Sequence, residues 1–246
     1  MHKLNIALFF TATLLLVYLV SPTLNPFEKT MISFHDPTQA GRVTSFVASL
    51  RAGHIPPRIA PEFSFNLGMP VFNFYAPTAY WISSVIALFG ASSGMAIKLS
   101  FLLAIFSAFY GMFYFLKQLF LTFSENKDPT VAAVLGASVY VSSTYFATEI
   151  MVRGNLAECW FLALLPLGFG LVIHNSKSDS VSVQVLTPVV LALLFSAHNV
   201  LSLFAIPMVF VFLFFFPNKR KNLLSMCFAV LIDSYFLIPA IFESSF

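Results

Sequence analysis

Seven apolar runs, nearly free of charge and each close to the length of a bilayer crossing, constrain this chain more than any other feature. They cover residues 4–20, 96–120, 131–147, 156–173, 183–197, 200–216 and 223–242. A helix needs about 20 mainly apolar residues to cross a hydrocarbon layer about 30 Å thick. The fifth run is short, at 15 residues, and is divided from the sixth at His198-Asn199 because one helix over both would far exceed the membrane. Only 9% of the residues are charged, against 59% hydrophobic. Soluble domains carry about a quarter charged residues, so lipid must solvate most of this surface. The expected fold is an all-α membrane protein of about seven transmembrane helices, forming one domain over residues 1–246. The first run follows His2-Lys3 and is not followed by a small-x-small cleavage site, which predicts a retained signal anchor. Cys159 and Cys227 both fall in apolar stretches and argue against a disulfide framework. The net charge of +3 is too small and scattered to indicate nucleic acid.

Charge asymmetry predicts the orientation. Segment 71–90 is also uncharged and 20 residues long. If it does not cross and the amino terminus is cytoplasmic, Lys3, Lys117, Lys127, Lys177 and Lys219-Arg220-Lys221 all fall on the cytoplasmic side, as the positive-inside rule requires. If it crosses, the last cluster moves outside. Segment 71–90 is therefore expected to be interfacial or re-entrant, with Phe72, Phe74, Tyr75, Tyr80 and Trp81 at headgroup depth. The same topology puts Glu28, His35, Asp36, Arg42, Arg51, Arg58, Glu62, Glu149, Arg153, Glu158, His198, Asn199 and Glu243 on the extracytoplasmic face. Asp233 alone sits mid-span.

Residues 21–95 form a long first outer loop. Within it, 37–50 has the spacing of an amphipathic helix, with Val43, Phe46, Val47 and Leu50 on one stripe. Such a helix is expected to lie in the membrane plane. Asp36 is placed to cap it, Pro37 to open it and Gln39 to complete a capping box. The same Asp36, with His35, has the chemistry of a general base or metal ligand, and Arg42 and Arg58 that of phosphate binding. Both readings stand, because a cap also fixes where a carboxylate points. A second constellation, Arg153-Gly154-Asn155-Leu156-Ala157-Glu158, also carries two readings. Asn155 and Glu158 have capping-box spacing. Alternatively, Glu158 is a second functional carboxylate and Arg153 holds a lipid phosphate; an acid this close to the membrane is expensive unless paired or wetted. His198-Asn199 form a tight turn.

These residues carry a resemblance. His35-Asp36, the helix with Arg42, Ala52-Gly53-His54-Ile55-Pro56-Pro57-Arg58, Gly68-Met69-Pro70, Phe74-Tyr75-Ala76-Pro77, Tyr80-Trp81 and Phe89-Gly90 follow one another in order. The chain resembles the amino-terminal half of bacterial membrane glycosyltransferases of the GT-C type, such as lipid A aminoarabinose transferases and protein mannosyltransferases. It resembles more closely a group of bacterial membrane proteins labelled 6-pyruvoyl-tetrahydropterin synthase-related, through Arg153-Gly154, Ala157-Glu158, Leu165-Pro166, His198-Asn199 and the Ile238-Pro239-Ala240 to Glu243 ending. The label carries no pterin chemistry here, as no pterin-synthase zinc-histidine pattern is present.

The resemblance implies a multi-pass protein of the inner (plasma) membrane that transfers a sugar from a polyprenyl-phosphate donor, with inversion at the anomeric carbon. Asp36 matches the first-loop carboxylate that activates the acceptor or binds metal, while Glu149 and Glu158 match second-loop acids. Arg153 or Arg58 would hold the donor phosphate, and His35, Arg42, His198 and Asn199 would complete the substrate site. A divalent metal (Mg or Mn) on Asp36 and Glu158 is implied as well. Two departures are visible: a single Asp36 followed by Pro37 replaces an acidic pair, and family members carry more spans, so this chain is expected to be a fragment, a truncated product or a degenerate copy. The rival expectation is a non-catalytic membrane protein that binds or transports a lipid-linked substrate. A transporter would show internal repeats and polar groups at the midplane, where only Asp233 lies.

Overall fold

A computed structural model describes residues 11–13, 23–28, 35–123 and 128–243. The first apolar run lies largely outside the described residues. Among those described, all regular structure is helical, and the one β-type pairing is an isolated bridge, Ala60 to Met69. The helices are α1 (Gln39–Arg51), α2 (Thr78–Leu88), α3 (Ser93–Phe123), α4 (Thr130–Val141), α5 (Thr144–Thr148), α6 (Leu156–Asn175), α7 (Val181–Phe195), α8 (Asn199–Phe212) and α9 (Lys219–Phe242). Helix α5 runs on into a π-helical turn, Glu149–Arg153.

Three helices, α3, α6 and α9, are long and apolar enough to cross a membrane, at 31, 20 and 24 residues. The pair formed by α4 and the stretch Thr144–Arg153 qualifies only as one bent unit, with a 43° break. That break modifies the expectation of a single helix over 131–147. Ser142 ends α4, and Ser143 turns extended, its hydroxyl accepting the Phe146 amide to start α5. Hydropathy is blind to this restart because serine interrupts neither the apolar run nor its charge balance.

Helices α3 and α6 form the most extensive pair in the bundle. Glycines set their distance: a Cβ on Gly111 would stand 3.1 Å from the Ala163 carbonyl, and one on Gly170 would stand 3.0 Å from Phe115 Cα. Small residues at such crossings let membrane helices approach closely. Trp160 Nε1 donates to Ser100 Oγ at 2.9 Å and Tyr114 meets His174 Nδ1 at 2.5 Å, adding polar ties along the same seam.

The bundle has two chemically different ends. At one, Lys221 reaches Asp179 at 3.2 Å, Asn218 donates to the Ser176 carbonyl, and Lys177 donates to Thr122. At the other, the first loop folds down onto the helices. Lys98, buried in α3, donates to the carbonyls of Asn25 and Glu28 at 3.1 and 2.9 Å and so fastens the start of that loop.

Helix α1 carries the apolar stripe expected of it, but the stripe faces protein. Val43 and Phe46 are fully buried, and Phe46 meets the rings of Phe72 and Trp81 edge-on at 4.8 and 5.0 Å. Gln39, Ser45 and Ser49 are buried as well, so α1 is enclosed on several faces rather than laid with its stripe in lipid. An aromatic collar from the same loop supplies the partners, and edge-to-face ring contacts add to the area they bury.

Segment 71–90 splits into a single turn, Val71–Phe74, and α2. With 11 residues, α2 is about 16 Å long, roughly half the hydrocarbon thickness. This segment sits on the turn between α7 and α8. Thr78 N donates to the Ser196 carbonyl at 3.2 Å, Ala76 N donates to Asn199 Oδ1 at 2.7 Å, and Asn199 Nδ2 donates to the Phe74 carbonyl. Helix α7 has only 15 residues, about 22 Å, and the loop covers its end. Asn199→Ala is expected to free residues 74–78, so limited proteolysis there should accelerate several-fold while cleavage elsewhere is unchanged.

Candidate functional site

The site forms where the first loop meets the π-helical turn. The His35 amide donates to the Val152 carbonyl at 3.0 Å, and the Asp36 amide donates to the Arg153 carbonyl at 3.1 Å. Two segments far apart in sequence are thereby joined, and the two sequence constellations become neighbours.

On the first-loop side, α1 begins at Gln39 with Thr38 at the N-cap position and no side-chain cap bond, so Asp36 lies two residues ahead of the cap and Pro37 does not open the helix as expected. Asp36 Oδ1 accepts from Thr38 N at 3.1 Å and from Thr38 Oγ1 at 2.5 Å. Its Oδ2 accepts from Gln39 Nε2 at 3.0 Å, so Gln39 reaches the carboxylate rather than the Asp36 amide. That amide is already committed to Arg153. The Arg42 guanidinium lies 3.6 Å from Asp36 Oδ2, donates to Tyr80 at 3.1 Å and stacks over the Tyr75 ring at 4.3 Å. Tyr80 in turn donates to Gln39 Oε1 at 3.3 Å. Tyr75 and Tyr80 are site residues that the sequence offered only as aromatic interface residues.

On the other side, Arg153 bridges two acids. Its Nη1 lies 2.6 Å from Glu149 Oε1 and 3.3 Å from Glu158 Oε2. The carboxylates are almost sealed, with side chains 1% and 6% exposed, whereas Arg153 is 50% exposed. Glu149 and Arg153 sit one turn apart because the π-helical turn carries both. Gly154 then ends that turn at φ 64, a left-handed conformation that glycine adopts without penalty. Asn155 opens α6 as its cap, accepting the Glu158 amide at 3.3 Å. Asn155 Nδ2 donates back to Glu158 Oε2 at 2.8 Å, and Tyr145 donates to Glu158 Oε1. The spacing of Asn155 and Glu158 foretold this pairing. Tyr145 was not foreseen, because the turn that carries it over Glu158 has no sequence signature. Glu149 Oε2 is buried with no hydrogen-bond partner among the described residues.

His198 caps α8, its Nδ1 accepting the Leu201 amide at 3.3 Å. Burial pulls its pKa below the ordinary imidazole value, against the opposing pull of Glu158. The ring is therefore neutral near pH 7, and with Nδ1 accepting, the proton resides on Nε2, which faces Glu158 Oε2 at 4.0 Å.

Two expected members, Asn199 and Arg58, fall elsewhere, and the mid-span Asp233 also lies apart from the site. Asn199 commits its amide to the backbone of residues 74–76. Arg58 makes no ion pair among the described residues; it donates to Asn73 Oδ1 at 2.9 Å, and Asn73 Nδ2 donates to Glu243 at 2.5 Å. Asp233 is buried in α9 beside Ser196, with neither carboxylate oxygen in a hydrogen bond among the described residues. Among those residues, no three His, Cys, Asp or Glu side chains converge as a metal site. Asp36 and Glu158 thus stand in adjoining networks, each saturated by side chains and amides.

No protein family, curated protein or solved structure matches this chain.

Proposed function

We propose that the protein is a membrane glycosyltransferase of the GT-C type, or the amino-terminal part of one, acting at the extracytoplasmic face of the plasma membrane. The reading includes about seven spans, a cytoplasmic amino terminus and segment 71–90 at the interface. What supports it most is the pairing of Asp36 with the Arg153 backbone. It sets a first-loop carboxylate beside a half-exposed arginine and two sealed acids, all at the end of the bundle opposite Lys177 and Lys221.

In the proposed reaction, an acceptor hydroxyl attacks the anomeric carbon of a sugar carried on polyprenyl phosphate. The new C–O bond forms on the face opposite the breaking C–O bond. The acceptor proton passes to Asp36, and the leaving phosphate keeps the bonding pair and is held by Arg153. Arginine suits that task through its fixed fork of donors. His198, His35 and Arg42 line the approach, and Glu149 with Glu158 fixes Arg153.

Asp36→Asn retains the shape of the side chain and removes the base. General-base catalysis is worth about 10²–10⁴ in rate, so transfer from a polyprenyl-phosphate sugar should fall by about 10² or more, with the melting temperature in detergent nearly unchanged. Full transfer by Asp36→Asn would overturn the catalytic role.

A second reading has its own support. Both Asp36 oxygens accept bonds from the chain itself, as befits a structural clasp in a non-catalytic protein that binds or moves a lipid-linked substrate. That reading expects saturable binding of the same lipid by wild type and Asp36→Asn alike, without turnover.

A further inference from the structure

A cavity of about 570 Å³ opens between the end of α1 and the chain that follows it, lined by Ser49, Gly53, His54, Ile55, Arg58 and Ile59 together with prolines. It lies outside the Asp36 and Glu158 networks, and its volume is that of a small-molecule site. Its character is divided. Ile55 and Ile59 are 73% and 54% exposed, giving an apolar wall that faces outward. The polar side is basic, supplied by His54 and Arg58.

Arg58 is the informative residue. One donor is committed to Asn73, and no acid among the described residues neutralises the guanidinium by direct contact. Asn73 stands between it and Glu243 and keeps the two charges apart. The chain places Arg58 deliberately: its carbonyl accepts the Phe72 amide at 3.1 Å, and Ser49 Oγ donates to the neighbouring Ile59 carbonyl. A narrower cleft continues from Arg58 past Trp81 to Tyr235, Phe236 and Pro239 of α9.

Depth follows from α9. Glu243 ends a helix of 24 residues, about 36 Å, somewhat longer than the hydrocarbon layer. With α9 spanning the membrane as proposed, Arg58, linked to Glu243 through Asn73, would stand at headgroup level. A basic group there, beside an outward apolar wall, matches an amphiphile whose anionic head meets Arg58 and whose chains lie along Ile55 and Ile59.

We infer that this cavity is a binding site for a phosphate-bearing lipid, separate from the Asp36–Glu158 region. Phosphate is the head that matches an arginine fork and a neighbouring imidazole. The site needs no sugar transfer, so it stands or falls independently of the function proposed above.

The test is native mass spectrometry of the full chain in a non-ionic detergent. The probes are dioctanoyl phosphatidic acid, dioctanoylglycerol with the same chains but no phosphate, and inorganic phosphate. Wild type should take up one phosphatidic acid saturably, at least tenfold more tightly than dioctanoylglycerol. Arg58→Gln, which can still donate to Asn73, should weaken that binding at least tenfold, Arg58→Lys by less, and Arg220→Gln, exposed at the opposite end of the bundle, not at all. Equal binding by wild type and Arg58→Gln would overturn the site. Equal loss in Arg220→Gln would show a response to net charge alone and overturn it as well. Displacement by inorganic phosphate at the lipid's own concentration would overturn the lipid assignment in favour of a soluble anion.

Discussion

Arg153→Ala is expected to lower stability more than the loss of either of its acidic partners. The guanidinium faces solvent on one side, but the carboxylates it holds are nearly sealed, at 1% and 6% exposure. Removing the cation leaves two acids close together with no compensating charge. Breaking a buried pair in this way costs about 3–5 kcal/mol. The half-exposed arginine moves the expectation to the low end, about 3 kcal/mol. Glu149→Gln, in contrast, removes one acid and leaves Arg153 paired with Glu158, and should cost about 1 kcal/mol. The double variant Arg153→Ala/Glu149→Gln should recover more than half of the single arginine loss. Thermal unfolding of the four proteins in one detergent decides the matter. Additive losses would show that Arg153 and Glu149 do not act as a pair.

The second large effect is steric. Gly170 stands where α6 crosses α3, and an added Cβ would meet Tyr114 Cδ1 at 2.7 Å and the Phe115 backbone at 3.0 and 3.1 Å. The ring can rotate away, whereas the Phe115 backbone lies two turns inside a 31-residue helix and cannot. Gly170→Leu must therefore push α6 off α3 and disturb the largest interface in the bundle. Overpacking of this kind costs about 1–3 kcal/mol where side chains can adjust. Here the obstacle is backbone, so little folded protein should survive extraction. Gly170→Ala should fold with a reduced melting temperature. Gly53, which has open space around its Cβ position, serves as a contrast. Its φ of 86 still penalises a side chain locally, but Gly53→Ala should leave the bundle intact. A Gly170→Leu protein that melts like wild type would mean that α3 and α6 are not packed as described.

What could be read from sequence was local. The stripe Val43, Phe46 and Val47 and the Asn155–Glu158 pairing rest on spacings of four residues or fewer, and both appear, whereas the Asp36–Gln39 capping box gives way to a side-chain contact ahead of a helix capped at Thr38. The nature of the surface that covers the stripe was not legible, because a 3.6-residue period is the same against lipid as against a ring of phenylalanine and tryptophan. The kink at Ser142-Ser143 and the π-helical turn were hidden for a related reason: neither changes hydropathy. The meeting of His35-Asp36 with Val152-Arg153 is a backbone pairing across nearly half of the chain. Side-chain identity does not encode such a pairing, although the shared end of the bundle was foreshadowed by the charge pattern. Arg58 shows the opposite failure. Residue type suggested a phosphate ligand, but proximity along the loop gave no means of separating it from the Arg153 cluster.

The way segment 71–78 rests on the α7–α8 turn has a consequence for biosynthesis. Thr78 and its partner Ser196 are separated by 118 residues. At a translation rate of about 5–20 residues per second, the loop emerges roughly 6 to 24 seconds before its seat exists. For that interval Ala76 and Thr78, both buried in the finished protein, lack the Asn199 and Ser196 partners that seat them. The nascent chain must therefore shelter them in the membrane interface or against a helper protein. Slowing synthesis between codons 80 and 196 should lengthen that exposed period and increase degradation of the newly made chain.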